Sequence, residues 1–284
     1  MSGMDPEKFK SMQRQGWDGV SEAWKKWWPV IEESTQVVSD RLVDLAGIRQ
    51  GSRVLDIATG IGEPAITAAR KAGPTGKVTA IDMSPEMLAL AMQRAKDVGI
   101  TNIEFREADA ESLQLASTFD AVLSRFGLMF MPNLLLALKI MRNALAENGR
   151  ISAAVWSTAD KVPAFLLPLE IIMKETGSKP PPPGTPGPFS LGDTNLLRQK
   201  FEQADFQDVM IEKNTMNFRF PSTERYVDMI RSTSGQLLAM MAGLPAERHE
   251  EVWNKVADGA RKHLDPDTGT VNFTNEVVYV TARH

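Results

Sequence analysis

Val54-Leu-Asp-Ile-Ala-Thr-Gly-Ile-Gly-Glu-Pro-Ala65 decides how the rest of the 284-residue chain is read. Arg53 to Ala58 (RVLDIA) reads as a buried strand that runs into Gly60-x-Gly62 and then directly into a helix from about Glu63 to Lys71. Glycines at such a turn let the backbone come close to a ligand, and the helix N-terminus favours anionic or polar groups. Alone, the turn fits more than one ligand class. Gly60-x-Gly62-x-x-Ala65 matches a dinucleotide fingerprint, and Asp82 follows at about the 20-residue distance where a ribose-binding acid would fall.

Working outward, short β runs alternate with helix-length segments. Lys77 to Asp82 is a second strand and Ser84 to Val98 a second helix, with Ser84 as N-cap, Pro85 at the first helical position and Gly99 at the end. Ile103 to Arg106, Phe119 to Ser124 and Gly149 to Trp156 supply three more strands, with a helix from about Leu134 to Ala146 between the last two. This alternation implies a parallel sheet with helices on both faces. After Trp156 the pattern loosens. The run KPPPPGTPGP (179–188) can neither continue a helix nor pair centrally, and reads as a spacer or lid loop. Helices follow over Asp193 to Ala204, Thr223 to Ala242 and Ala246 to Lys262, with strands over Val209 to Phe220 and Asn275 to Ala282. Upstream, Asp5 to Ala46 reads as helical and carries Trp17, Trp24, Trp27 and Trp28, with Pro29 marking a kink or fresh start.

Composition narrows the chemistry. The chain has no cysteine, which excludes disulfides, thiolate metal sites and cysteine nucleophiles. Its three histidines, His249, His263 and His284, lack metal-ligand spacing, so no metal is expected. A net charge of -4 argues against general nucleic-acid binding. The opening MSGMDPEKFK lacks an apolar run, and no apolar stretch approaches the roughly 20 residues of a membrane span. The expectation is a cytoplasmic protein without an integral membrane segment; oligomeric state is not legible.

Two acids separate the ligand classes. Asp56 lies in the first strand, four residues before Gly60. A diphosphate there would meet like charge, whereas a ligand carrying an ammonium would gain from it. The third strand ends in Arg106-Glu-Ala-Asp109-Ala110-Glu-Ser. A carboxylate followed by a small residue at a strand's carboxyl end, where open α/β sheets bind ligands, suits an adenine edge.

The ordered series Val54-Leu-Asp56-x-x-x-Gly60-x-Gly62, Ile81-Asp82-x-Ser84, Ala108-Asp109-Ala110 and Phe119-Asp120-x-Val122 resembles class I S-adenosylmethionine-dependent methyltransferases, most of all the UbiE-like group acting on small molecules. Ser124-Arg-Phe-Gly-Leu-Met-Phe-Met-Pro132 adds to that resemblance. It implies that Asp82 binds the ribose hydroxyls and Met83 packs on the adenine. Asp109 and Ala110 would read the adenine edge, and backbone near Ala58, Gly60 and Gly62 would hold the methionine part. One departure stands out: the commonest first motif has glycine two residues after the acid, and this chain has Ala58. Alanine is small enough for close approach, but a positive φ there is disfavoured.

The resemblance implies a doubly wound, Rossmann-like α/β sheet of seven strands with the last antiparallel. Residues 1–48 would form an N-terminal helical lid, 49–157 the cofactor-binding core, 158–266 cap insertions with the sixth strand, and 271–284 the final strand. Arg125, after the fourth strand, reads as a cofactor contact or equally as a surface arginine. Trp24 and Trp28, spaced i, i+4, are candidates for a lid face over a sulfonium cation, against the plainer reading of core packing. Phe165, Leu166, Leu169, Ile172, Met173, Met229, Met240 and Met241 either pack a cap onto the core or line an apolar cavity. His249 and His263 read as solvated helix positions, so no general base is visible. The function this implies is methyl transfer from S-adenosylmethionine to a small organic acceptor with a hydrophobic body, leaving S-adenosylhomocysteine. Two other readings remain open: an NAD(P)-dependent oxidoreductase, which lacks a visible Tyr-x-x-x-Lys relay, and a non-catalytic binding module on the same fold.

Overall fold

The computed structural model describes residues 5–115 and 118–284. It opens with α1 (Pro6–Leu45), a 40-residue helix capped by Asp5, which accepts from the Glu7 N–H. The sequence suggested a break at Pro29, yet the helix runs through it. A proline inside a helix costs about 3 kcal/mol. Trp27, Trp28 and Ile31 around it are all buried, and each large apolar side chain contributes roughly 1.5–3 kcal/mol by leaving water. Packing wins over local propensity.

The sheet then builds outward from β1 (Arg53–Ile57). Helix α2 (Ala65–Ala72) leads to β2 (Lys77–Asp82), and α3 (Pro85–Asp97) leads to β3 (Ile103–Glu107). Ser84 caps α3 as expected, its hydroxyl accepting from Met87 N. After β4 (Phe119–Arg125), α4 (Leu134–Ala144) returns the chain to β5 (Leu145–Trp156). The later elements are α5 (Pro163–Thr176), α6 (Thr194–Gln203), β6 (Gln207–Phe220), α7 (Thr223–Thr233), α8 (Gly235–Met241), α9 (Ala246–Ala260) and β7 (Val271–Arg283). The sequence read α7 and α8 as one helix. Ser234 breaks it at ψ 84°, and a Cβ on Gly235 would lie 3.4 Å from the Gly16 carbonyl of α1, so the break seats α8 against that helix.

All seven strands form one sheet in the order β3-β2-β1-β4-β5-β7-β6. The first five are parallel, and β7 lies antiparallel between β5 and β6. This is a Rossmann-like doubly wound sheet with the last strand reversed. Buried Val54, Leu55, Val78, Val122, Leu123 and Ile151 fill its centre, as strands covered on both faces require. Strand order reverses direction between β1 and β4. Ligands of open α/β sheets bind at the strand carboxyl ends beside such a switch point.

The cap is fixed to this frame by specific bonds. Tyr226 donates to the Ala164 carbonyl at 2.6 Å, joining α7 to α5, and Asn275 of β7 accepts from Ala164 N at 3.1 Å. Glu175 of α5 holds Arg248 at 2.9 Å and Lys255 at 2.6 Å, both on α9. Of the apolar cap residues, Ile172, Met229 and Met241 are buried in packing. Among the described residues no helix is long and apolar enough to cross a membrane.

Candidate functional site

The turn after β1 is shaped by its small residues. Gly60 has φ +56°, and a Cβ there would meet nothing within 4 Å, so the turn is open on that side. Gly62 has φ +98°, and a Cβ would lie 3.2 Å from Ile66 and 3.3 Å from Ala91, so this glycine also seats α2 against α3. Ala58 does adopt the disfavoured region, at φ +56°, and Phe126 after β4 does so at φ +60°. Each costs on the order of 1–3 kcal/mol, and both flank the switch point. The Ala58 methyl fits because Gly127 faces it: a Cβ on Gly127 would stand 2.6 Å from the Ala58 Cβ.

Asp82 ties the first turn to the second strand. Its Oδ2 accepts from Gly60 N at 2.8 Å and its Oδ1 from Ser84 N at 2.9 Å. Burial pushes its carboxyl above the usual range, against the pull of these N–H groups. The backbone N–H of Gly60 is thus committed to Asp82, and that of Gly62 to the Thr59 carbonyl at 3.0 Å. The donors expected to face a ligand instead close the turn. Met83 and Ala110 are half-buried at the ends of β2 and β3. Asp109 Oδ1 accepts from Glu111 N at 2.9 Å, and Glu111 in turn accepts from Asn133 N at 2.7 Å.

Helix α1 crosses all these strand ends. Lys10 donates to Asp109 Oδ2 at 2.7 Å, Arg14 pairs with Glu107 at 2.9 Å, and Asp18 accepts from the Ser84 hydroxyl at 2.5 Å. Burial works against the Lys10 charge, but its bonds to Asp109 and Glu7 outweigh that and raise its pKa. Further along, Trp17 packs edge-on against Trp24 and Phe130, at 5.9 and 5.8 Å between ring centres. Trp24 donates to the Thr233 carbonyl at 3.2 Å, while buried Trp28 lies under Arg94, 3.9 Å from the guanidinium, with Arg125 at 5.7 Å. The two candidate tryptophans therefore serve different neighbours, Trp24 the cap and Trp28 the core.

A buried charge cluster lies below this helix. Asp56 is fully buried; its Oδ2 accepts from Ala65 N at 3.1 Å and its Oδ1 has no partner. Burial pushes its carboxyl up to about 7, with the nearby Thr59 hydroxyl first and the Arg125 charge second pulling the other way. Glu63 is buried as well, bonded to Thr67 through Oε2 and without a partner at Oε1. Arg125 donates to Thr35 Oγ1 at 3.0 Å and Ser39 Oγ at 3.1 Å on α1, and burial lowers its pKa against the carboxylates it faces. Beyond it, Phe126 stacks on Trp156 at 4.1 Å, and Trp156 meets Phe165 of α5 at 5.2 Å.

The structure thus brings Asp56, Ala58, Gly60, Gly62, Asp82, Met83, Asp109, Ala110 and Arg125 to one end of the sheet. His249 is half-buried rather than solvated and bonds the Met241 carbonyl at 2.9 Å; His263 stacks on Phe273. Glu63, Arg94 and Lys10 were not singled out in the sequence. Only Glu63 carried a signal, as an acid next to the glycine turn. A surface hollow of about 600 Å³ lined by Arg53, Leu113, Ile140 and Asn143 lies at the opposite strand ends, away from these residues.

Residues 48–179 match the methyltransferase domain family. A ubiquinone/menaquinone biosynthesis C-methyltransferase, UbiE, of Pseudomonas putida is 40% identical over 111 residues, covering 38% of this chain and 43% of that protein. The chain thus spans less than half the length of this relative. Among solved structures, the YcgJ protein of Bacillus subtilis superposes with a TM-score of 0.55 at 19% identity, covering 86% of this chain and 97% of that one. A Haemonchus contortus phosphoethanolamine N-methyltransferase with S-adenosylhomocysteine bound gives 0.52 at 15% identity, over 92% and 52%. At these identities the structures share the fold.

Proposed function

We propose that this chain, whose residues 48–179 match a methyltransferase domain, is a class I enzyme that transfers a methyl group from S-adenosylmethionine to a small organic acceptor. The observation that carries this reading is Asp56, a buried acid under the glycine turn with one carboxylate oxygen unpartnered. A diphosphate would be repelled there, whereas the cofactor's ammonium would satisfy that oxygen. The residues present fit the cofactor elsewhere too. Asp82, at the end of β2, would take the ribose hydroxyls on its remaining lone pairs, with Met83 against the adenine. Asp109 and the Ala110 backbone would read the adenine edge, and the open side of Gly60 would admit the methionine chain.

When bound, the cofactor supplies a methyl group already activated by its sulfonium. The protein's part is then positioning and exclusion of water, which is worth up to roughly 7–11 kcal/mol in favourable cases. The N-terminal half of α1 serves as the lid, joined to the strand ends through Lys10, Arg14 and Asp18. The acceptor would lie between the cap and the aromatic wall of Phe126, Trp156 and Phe165, which suits a hydrophobic body.

The experiment is incubation of purified chain with S-adenosylmethionine and a fractionated metabolite extract, following S-adenosylhomocysteine by mass spectrometry. Extract-dependent product that disappears in Asp82→Ala supports the reading. The absence of product with every fraction, in protein that binds S-adenosylhomocysteine, would favour a non-catalytic binding module.

A further inference from the structure

Strand β3 forms one edge of the sheet and, among the described residues, pairs with β2 alone. Val78 N donates to the Asn102 carbonyl at 2.9 Å, and Ala108 N donates to the Asp82 carbonyl at 2.9 Å. Alternation along the strand therefore turns the N–H and C=O groups of Ile103, Phe105 and Glu107 outward, away from β2. Glu104, Arg106 and Glu107 are exposed, so this edge faces solvent. Such an edge templates pairing with another strand unless it is guarded. Charges of one sign would guard it, but Glu104 and Arg106 carry opposite signs on either side of Phe105. Beside the edge, a hollow of about 410 Å³ is lined by Met92, Ala95, Ile100, Ile103 and Phe105. Met92 on α3 and Val98 at its end are 48% and 49% exposed, unusual for large apolar side chains in neighbouring turns.

We propose that this edge is an interface between two copies of the chain, with β3 pairing antiparallel to β3 of the second copy about a two-fold axis at Phe105. In that register the two Phe105 residues form a hydrogen-bonded pair, and so does each Ile103 with Glu107 of the other copy. These are the residues whose N–H and C=O groups point outward. Between them, Glu104 of each copy meets Arg106 of the other in a non-hydrogen-bonded pair, where side chains approach most closely. Moving the axis to Glu104 would oppose the two acids, and moving it to Arg106 the two guanidiniums, so charge selects the register. Glu104 pairs with Lys77 at 2.9 Å within its own copy. Among the described residues no ion pair engages Arg106, and the second copy supplies one. Directly opposed side chains share a face of the sheet. Ile103 and Phe105 of both copies therefore lie with both α3 helices on one side, which closes the two hollows on each other and shields Met92 and Val98.

The test is sedimentation equilibrium of the full chain. The wild type should pass from monomer to dimer between about 1 and about 100 μM. Arg106→Glu makes positions 104 and 106 both acidic, and Glu104→Arg makes both basic. Each variant alone should self-associate about tenfold or more weakly. Mixed in equal amounts, the two should associate with each other within about threefold of wild type, because each supplies the sign that the other lacks. A wild-type chain that stays monomeric throughout overturns the interface and leaves the edge to a foreign strand. Single variants that dimerise like wild type, or a mixture that stays monomeric, overturn it as well. If the variants do not fold, amide exchange in the wild type decides. The N–H groups of Ile103, Phe105 and Glu107 should gain at least about tenfold protection between dilute and concentrated protein, and unchanged exchange overturns the pairing.

Discussion

Lys10 in the second turn of α1 donates to Asp109 beyond β3 at 2.7 Å, across 99 residues of sequence. The pair is mostly shielded, with 13% and 27% of the two side chains exposed. Such a pair contributes up to about 1 kcal/mol, or roughly a fivefold change in an equilibrium. Lys10→Ala should therefore loosen the first turns of α1 and speed S-adenosylhomocysteine dissociation by about that factor. Hydrogen exchange over residues 6–20 and stopped-flow dissociation check this. Unchanged exchange in both would mean that the helix is held elsewhere.

Ala58 and Gly127 form a second coupled pair, their turns meeting across the switch point. In Gly127→Ala the added methyl would stand 2.6 Å from the Ala58 Cβ and 2.9 Å from the Ser124 hydroxyl. Overpacking of this kind costs about 1–3 kcal/mol. Ala58→Gly removes both that contact and the left-handed strain at alanine, worth roughly 1–2 kcal/mol. The double variant should recover part of the loss, with Ser124 accounting for the remainder. Chemical denaturation of the four proteins measures the coupling, and strict additivity would contradict the contact.

What the sequence made legible was local. The glycine turn, Asp82 and the Ser84 cap each announce themselves within a few residues; the structure has the cap on Met87 and Asp82 at the end of β2, while the N–H groups of Gly60 and Gly62 close the turn rather than face outward. The misread features depend on distant partners. Helix α1 continues through Pro29 because Trp27, Trp28 and Ile31 are buried by the rest of the fold. The break at Ser234 follows from Gly235 meeting Gly16, which no periodicity reveals. Glu63 looked like an ordinary acid at a helix start; only burial and its unpartnered oxygen mark it. The Lys10 contact has no sequence signature at all.

The Asp56 carboxyl gives the site a pH dependence. Burial raises it to about 7, so the folded chain holds a proton that the unfolded chain has released above about pH 4. Its contribution to stability is greatest at acid pH, declines as pH rises through that window and is gone above about 7. Ligand binding runs the other way, since an ammonium requires the ionised acid. Arg125 on β4 and Glu63 before α2 face the same group and change its midpoint without reversing the sign. S-adenosylhomocysteine affinity should rise about tenfold from pH 6 to pH 8, while 5′-methylthioadenosine affinity stays flat. Parallel profiles for the two ligands would remove Asp56 from the ammonium site.

Thermal unfolding shows which cofactor the glycine turn binds. S-adenosylhomocysteine, S-adenosylmethionine, NAD and NADP would be compared side by side, each at high excess. A ligand at 100 times its dissociation constant adds about 2.7 kcal/mol of stability. For a chain of this size that is several degrees, at roughly 2–4 °C per kcal/mol. The two adenosyl compounds should shift unfolding upward and the nicotinamides should not. A shift with NAD or NADP alone would contradict it and return the glycine turn to a dinucleotide.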